Sequence, residues 1–309
     1  IAALVRQLPL GFPLTNLDKV LYPEQQLTKG QLVAYFAVVA PWMVPHVDNR
    51  PLTLVRCPEG RTRPCFYQKK IFPGSPRSVQ TVAIREEETG ELVDYMKVRD
   101  MPGLVGLAQL GTLEIHIWGC HADKVERPDF MVFDLDPDVG LAWEKVALAA
   151  FDVRRRLREL GLESWVKTTG GKGLHVCVPL ARTLTWDEFK GWSKAFADRL
   201  AEEEPGLYTS NISKAARRGR IFVDYLRNGR NATFICPFSP RAREGAPVSV
   251  PITWEELARG VEPMAFTTRT VPARLGALRE DPWEGIYRVE QRITAAMWKA
   301  VGGKSGRRG

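Results

Sequence analysis

Cysteine, histidine and long apolar runs are all scarce in this chain of 309 residues, and each scarcity excludes something. There are five cysteines, Cys57, Cys65, Cys120, Cys177 and Cys236. Their number is odd and no C-x-x-C occurs, which argues against a disulfide framework and predicts free thiols in a reducing cytosol. Cys177 and Cys236 sit inside apolar runs and read as core residues. Only four histidines are present. His116 and His121 flank Cys120, yet three candidate ligands without a fourth make a poor structural zinc site. No apolar run approaches the length of a membrane span, and no signal-peptide pattern opens the chain. The first residue is Ile1 rather than Met, so the chain reads as a fragment of a longer polypeptide. Neither an internal repeat nor a low-complexity block interrupts it.

What is present is a full complement of core-forming residues, 44% hydrophobic, and a net charge of +8. That hydrophobic content argues against disorder. The surplus of cations suits a polyanionic partner, although ordinary solubilising charge gives the same number.

Leu14 to Pro23 reads as a short turn segment. Thr28 and Gln31 form a capping box for a helix carrying Leu32, Tyr35, Phe36 and Val39, which Pro41 and Pro45 are expected to disrupt. Strand-like pieces and basic residues mix from Val47 to Phe72, and Leu113 to Trp118 alternates as a strand. A buried strand ends at Asp134 and Asp136, followed by a helix from about Ala142 to Leu160 with Gly161 as its C-cap. A strand at Trp165–Lys167, a loop at Thr168–Gly173 and a strand at Leu174–Val178 come next. Thr185 and Glu188 then cap a second helix reaching about Glu203. Strands at Ile221–Tyr225 and Ala232–Cys236 precede a segment after about Val250 that looks helical and peripheral. Without strict β-α-β alternation, the pattern predicts an α+β fold with mixed and antiparallel sheets flanked by helices. The whole chain, 1–309, reads as a single domain. It has an N-terminal part to about residue 100, a catalytic part from about 101 to 290, and a disordered tail at 302–309.

Three groups of residues carry chemistry. Asp134 and Asp136, at i and i+2 of a strand, project from one face and repel each other unless a cation intervenes. Mg²⁺ suits one or two carboxylates plus substrate phosphates, whereas a solvated pair of turn aspartates is the plainer reading. Asp224, on another apolar strand, either completes a three-carboxylate cluster for two metal ions or pairs with Arg220 or Arg227. In Thr169-Gly170-Gly171-Lys172-Gly173-Leu174-His175, three glycines let backbone N–H groups approach a phosphate. Lys172 adds charge and His175 follows two residues later. Lys214, Arg217, Arg218 and Arg220 precede Asp224, and Arg227, Arg230, Arg241 and Arg243 follow it, as a triphosphate clamp or a solvated face. Near the N-terminus, Lys19 and Lys29 flank Tyr22-Pro23. Arg56, Arg61, Arg63, Lys69 and Lys70 surround Phe66-Tyr67, an aromatic pair for base stacking or for the core.

With these residues assembled, the chain closely resembles the polymerase domain of bacterial DNA ligase D, of the archaeo-eukaryotic primase superfamily. The resemblance rests on Val132-Phe133-Asp134-Leu135-Asp136-Pro137, on Thr169 to His175, and on Phe222-Val223-Asp224, three motifs in order. Thr15-Asn16-Leu17-Asp18-Lys19-Val20-Leu21-Tyr22-Pro23 and Leu113-Glu114-Ile115-His116 add to it, and nearly the whole chain is covered. The resemblance implies that Asp134, Asp136 and Asp224 bind two Mn²⁺ or Mg²⁺ ions. It implies that Thr169, Lys172, His175, Arg217 and Arg241 bind the triphosphate of an NTP or dNTP, with His116 near its ribose. Asn16, Lys19 and Lys29 match a pocket for the DNA 5′-phosphate, and Phe66 and Tyr67 match a pair stacking on the template base. Family members with Ser at Thr169 keep the hydroxyl. Some carry Lys where Val55 stands, so one 5′-phosphate contact is missing here, with Arg56 beside it to compensate.

The implied activity is template-dependent addition of nucleotides, preferably ribonucleotides, to primer 3′-hydroxyls at gaps and double-strand breaks in non-homologous end joining. Ligase and phosphoesterase modules, a Ku partner and a place in the cytoplasm at the bacterial nucleoid come with it, and no membrane. The alternatives are a replicative-type primase, a metal-dependent nuclease and a non-catalytic DNA-end-binding module.

Overall fold

The computed structural model describes residues 2–303; Ile1 and residues 304–309, with most of the expected tail, lie outside the described residues. Backbone contacts divide the chain into two compact units. The first comprises Ile1–Val125, Ile235–Val250 and Met264–Arg279, the second Glu126–Phe234, Pro251–Pro263 and Glu280–Gly309.

In the first unit the helix Lys29–Val47 opens with the expected capping box, Thr28 accepting from Gln31 N. It does not stop at its prolines. Pro41 and Pro45 are both exposed, so the carbonyls they leave without a donor lie on the solvent side. Leu32, Phe36, Val39, Met43 and Val47 on the opposite face are fully buried and hold the helix together. Contrary to the expectation from the sequence, this 19-residue helix is long and apolar enough to cross a membrane by length and composition. Its hydropathy is accounted for by the core face just described.

Beside it, strand Leu52–Arg56 pairs with Phe66–Gln68 on one side and Thr112–Ile117 on the other, all antiparallel. Cys236 N donates to Ile115 O at 2.9 Å and extends this sheet. A separate hairpin, Gln80–Arg85 with Leu92–Lys97, and a helix at Met101–Gln109 complete the unit's main elements. The expectation of free thiols fails at one pair. The register places Arg56 opposite Phe66, so Cys57 and Cys65 face each other next in line and are bonded, with their Cα atoms 4.4 Å apart. Cys120, Cys177 and Cys236 are buried and form no disulfide.

The second unit is built on a six-stranded sheet in the order Tyr208–Thr209, Ile221–Asp224, Phe130–Pro137, Leu174–Pro179, Trp165–Thr168, Pro251–Ile252. The first pair is parallel and the rest antiparallel. Phe133, on the opposite face from Asp134, packs against Phe196 of the helix Trp186–Glu203, ring centroids 4.8 Å apart. That helix begins with the Thr185/Glu188 capping box, and the helix Trp143–Glu159 packs on the same sheet. The segment after Val250 is helical only in pieces, and it is not peripheral. Trp283 is 1% exposed and its Nε1 donates to Val166 O at 2.9 Å; Trp254 Nε1 donates to Ser164 O at 2.9 Å. Large apolar residues that read as surface by position complete this unit's core.

Candidate active site

Register brings the separate motifs of the second unit into one row. Asp224 is the partner of Asp134, Asp134 of His175, and His175 of Lys167, across four adjacent strands. Directly opposed residues of antiparallel strands share a face, so acid, acid, imidazole and ammonium stand side by side. Asp136, two residues beyond Asp134 and opposite Phe222, lies on the same face. Four apolar residues before Asp134 make its strand, and the pairing of both neighbours fixes which way its carboxylate points.

The glycine loop is shaped by two requirements. Gly170 has φ +66°, in the left-handed region that a side chain disfavours. At Gly173 a Cβ would come within 2.6 Å of Leu135 O and 3.6 Å of Asp134 Oδ1. Only glycine lets the loop return this closely to the carboxylate strand. Thr169 Oγ1 donates to Gly173 O at 3.2 Å, closing the turn, and Lys172 is exposed at its tip.

Charge decides the protonation states. Burial alone would raise Asp134, but His175, Arg227 and Lys167 outweigh it and the carboxyl lies below the usual range. Burial raises Asp136, and the neighbouring Asp134 and Asp224 push it further, to about 6. Asp224 is raised too, by burial first and, after a counterpull from Arg227, by Asp134. His175 is lowered to about 4 by burial and by Lys167, so at neutral pH it is an uncharged donor or acceptor. Its Nε2 lies 3.3 Å from Asp134 Oδ2, while its buried Nδ1 has no hydrogen-bond partner among the described residues. Arg227 Nε sits 3.3 Å from both Asp134 Oδ2 and Asp224 Oδ2, so the pairing with Arg227 considered from sequence is present. Arg217 stacks on Phe222 at 3.8 Å and pulls Asp136 and Asp224 downward.

Three carboxylates on one face, with two of them pushed upward by burial and mutual repulsion, form a donor set that suits a hard divalent cation. Among the described residues no three His, Cys, Asp or Glu side chains converge on a common point; Arg227 holds two of the three carboxylates.

The first unit carries the other expected residues. His116 Nε2 lies 2.8 Å from Glu114 Oε2. The other carboxylate oxygen of Glu114 accepts from Ala242 N at 2.8 Å and lies 3.2 Å from Arg241 Nε. Sequence reading missed Glu114 as a hub, although its i, i+2 spacing from His116 was a signal that both side chains share a face. Lys167, which is fully buried, was missed because nothing local distinguishes a buried lysine from a solvated one.

Asn16 adopts φ +53° and its carbonyl accepts from Lys19 N at 3.1 Å, while Lys19 O accepts from Lys29 N at 2.8 Å. These bonds place both lysines at the start of the long helix. Burial and Lys19 lower Lys29 to about 8, and Lys19 Nζ reaches Glu59 Oε1 at 2.5 Å. Phe66 and Tyr67 are 45% and 78% exposed, which rules out the core reading. The Arg56 guanidinium lies 5.3 Å from the Phe66 ring and 4.5 Å from the Phe72 ring, and Arg56 Nε donates to Leu110 O at 2.9 Å.

The fold is that of a known class. The structure aligns with the polymerase domain of Mycobacterium tuberculosis ligase D in complex with DNA at a TM-score of 0.82 and 30% identity, covering 89% of this chain and 97% of that one. That is an α+β polymerase fold, as the sequence pattern anticipated. Residues 28–283 match the family model for the LigD primase-polymerase domain. The chain belongs to this LigD primase-polymerase family. It is 37% identical over 294 residues to the multifunctional non-homologous end joining protein LigD of Pseudomonas aeruginosa, covering 94% of this chain and 35% of that protein. To the bifunctional non-homologous end joining protein LigD of Bacillus subtilis it is 29% identical over 262 residues, 84% of this chain and 42% of that protein. The chain thus spans about a third of the length of the first of these relatives and less than half of the second.

Proposed function

We propose that this domain is a template-dependent nucleotidyltransferase acting in non-homologous end joining, adding nucleotides, preferably ribonucleotides, to primer 3′-hydroxyls at gaps and double-strand breaks. The observation that carries the reading is the row Asp224, Asp134, His175 and Lys167, with Asp136 on the same face, in a chain of the LigD polymerase family.

Asp134, Asp136 and Asp224 would hold two Mg²⁺ or Mn²⁺ ions, which when bound lower the pKa of the 3′-hydroxyl and neutralise the leaving pyrophosphate. Lys172 at the loop tip and Arg217 on its Phe222 platform bind the triphosphate and stabilise charge as the α–β bond breaks. The N–H groups of the Gly170–Gly173 turn supply neutral donors for the same phosphates. His175, uncharged beside Asp134, holds that carboxylate's orientation by a hydrogen bond and offers Nδ1 as a second contact. In the first unit, Glu114 holds His116 and Arg241, the residues that the resemblance assigns to the ribose and to a phosphate. Asn16, Lys19 and Lys29 bind the 5′-phosphate at the far side of a gap. Phe66 and Tyr67 offer exposed π-faces to an unpaired template base. Cations and exposed aromatics are what a nucleic-acid substrate requires, and the net charge of +8 has the matching sign. In the full-length protein the domain would work with ligase and phosphoesterase modules and with Ku, in the cytoplasm at the nucleoid.

The test is an Asp134→Ala variant scored for primer extension and for binding to a gapped duplex. Extension lost with binding retained is expected. Extension at the wild-type rate overturns the assignment of the carboxylates.

A further inference from the structure

Arg227 stands between two of the three carboxylates that the proposed metal ions would use. Its Nε lies 3.3 Å from Asp134 Oδ2 and 3.3 Å from Asp224 Oδ2, bridging two of the three carboxylates with a positive charge. A metal ion bound to those oxygens approaches within about 2.1 Å of each. A divalent ion at those same two oxygens would be repelled by the guanidinium, so the two cations compete for them. The remaining oxygen of Asp224 accepts from Leu226 N at 2.8 Å, so the oxygen facing Arg227 is the less occupied of the two.

The surroundings separate a movable side chain from a fixed backbone. Arg227 lies in the turn Leu226–Asn228. The next residue, Asn228, is 1% exposed. Its amide pairs with both backbone groups of Val132 in the Asp134 strand, Nδ2 donating to Val132 O at 2.8 Å and Oδ1 accepting from Val132 N at 2.8 Å. The turn cannot shift without breaking that pair. The Arg227 side chain, by contrast, is 41% exposed, so a path to solvent is open to it.

We propose that Arg227 is an internal counter-ion that occupies the cation position between Asp134 and Asp224 and gives it up when a divalent ion binds. The inference rests on the reading of these aspartates as metal ligands. Without such a counter-ion, three carboxylates on one face would repel one another in the metal-free protein. With it, the metal-free fold is held together, and divalent affinity is set by a competition rather than by the carboxylates alone. Removing the competitor must therefore tighten metal binding while weakening the metal-free fold, two effects of opposite sign from one substitution. A residue that merely assisted the metal would weaken binding, and one that only packed would leave binding unchanged.

The experiment compares the full chain with Arg227→Gln and Arg227→Lys. Free Mn²⁺ is followed by electron paramagnetic resonance during titration, and thermal melting is recorded in EDTA and in saturating Mn²⁺. Arg227→Gln is expected to bind Mn²⁺ tighter on the order of tenfold, to melt earlier than the wild type in EDTA, and to recover most of that loss in Mn²⁺. Arg227→Lys should fall between. Unchanged or weaker Mn²⁺ affinity in a folded Arg227→Gln overturns the proposal. If that variant does not fold in either condition, Arg227→Lys decides by the same criterion. A wild-type chain that binds no Mn²⁺ removes the metal reading and this inference with it, whereas wild-type binding with unmoved variants removes the inference alone.

Discussion

Replacing Glu114 by Gln tests how much of the first unit's stability is electrostatic. The residue is 7% exposed, and burial by itself would raise its carboxyl. The His116 hydrogen bond, Arg241, and the Ala242 N–H outweigh burial and bring it from the ordinary 4.5 down to about 2. A carboxyl depressed in the folded state contributes stability that is complete above its unfolded value and fades as pH falls through the folded one. The difference corresponds to about 3 kcal/mol at neutral pH and roughly half of that at pH 3. Urea titrations of wild type and Glu114→Gln at pH 7 and pH 3 read it directly. A gap of about 3 kcal/mol at pH 7 that narrows at pH 3 is expected. A gap of the same size at both pH values refutes the reasoning, because the lost interaction would then not involve the ionised carboxylate.

Gly173→Ala places a Cβ 2.6 Å from Leu135 O and should cost about 2 kcal/mol of stability, visible as a lowered melting temperature; an unshifted melt shows that the loop has room. Alanine at both Phe66 and Tyr67 should weaken binding to a template overhang by about 1–3 kcal/mol per stacked base while leaving Mn²⁺ affinity unmoved, as measured by fluorescence anisotropy and metal titration. Thr185→Ala removes the side chain that accepts from Glu188 N and should destabilise the second unit by about 1 kcal/mol in chemical denaturation.

Much of the second unit was legible because its signals are local. Asp134 and Asp136 end an apolar strand, and Thr185 with Glu188 announces a helix start; both stand in the structure where the pattern puts them. The row across the sheet was only half legible. Motif order brought Asp134, His175 and Asp224 to attention, but Lys167 joins them through strand register, which no single motif encodes. The disulfide was illegible for the same reason: an eight-residue separation says nothing until Arg56 is known to oppose Phe66. The hairpin Gln80–Arg85 with Leu92–Lys97 was missed because its first strand buries one residue of six, leaving little alternation to read. The helix Met101–Gln109 was missed as well, since Pro102, Gly103 and Gly106 argue against a helix locally while Val105, Leu107 and Ala108 are buried against the unit's core. In the long helix, proline chemistry was weighed correctly but its position was not, because exposure at Pro41 and Pro45 is a tertiary property. Trp254 and Trp283 show the converse, residues of an irregular segment recruited into the core by partners 90 positions away in Ser164 and 117 away in Val166.

The most direct test of the central claim is primer extension on a gapped duplex with a downstream 5′-phosphate, supplied with ATP or dATP separately, in Mn²⁺ and again in EDTA. Addition of the templated nucleotide is expected in Mn²⁺, faster with ATP than with dATP, and none in EDTA. A primer that is shortened, or one that is bound but unchanged in length under every condition, contradicts it.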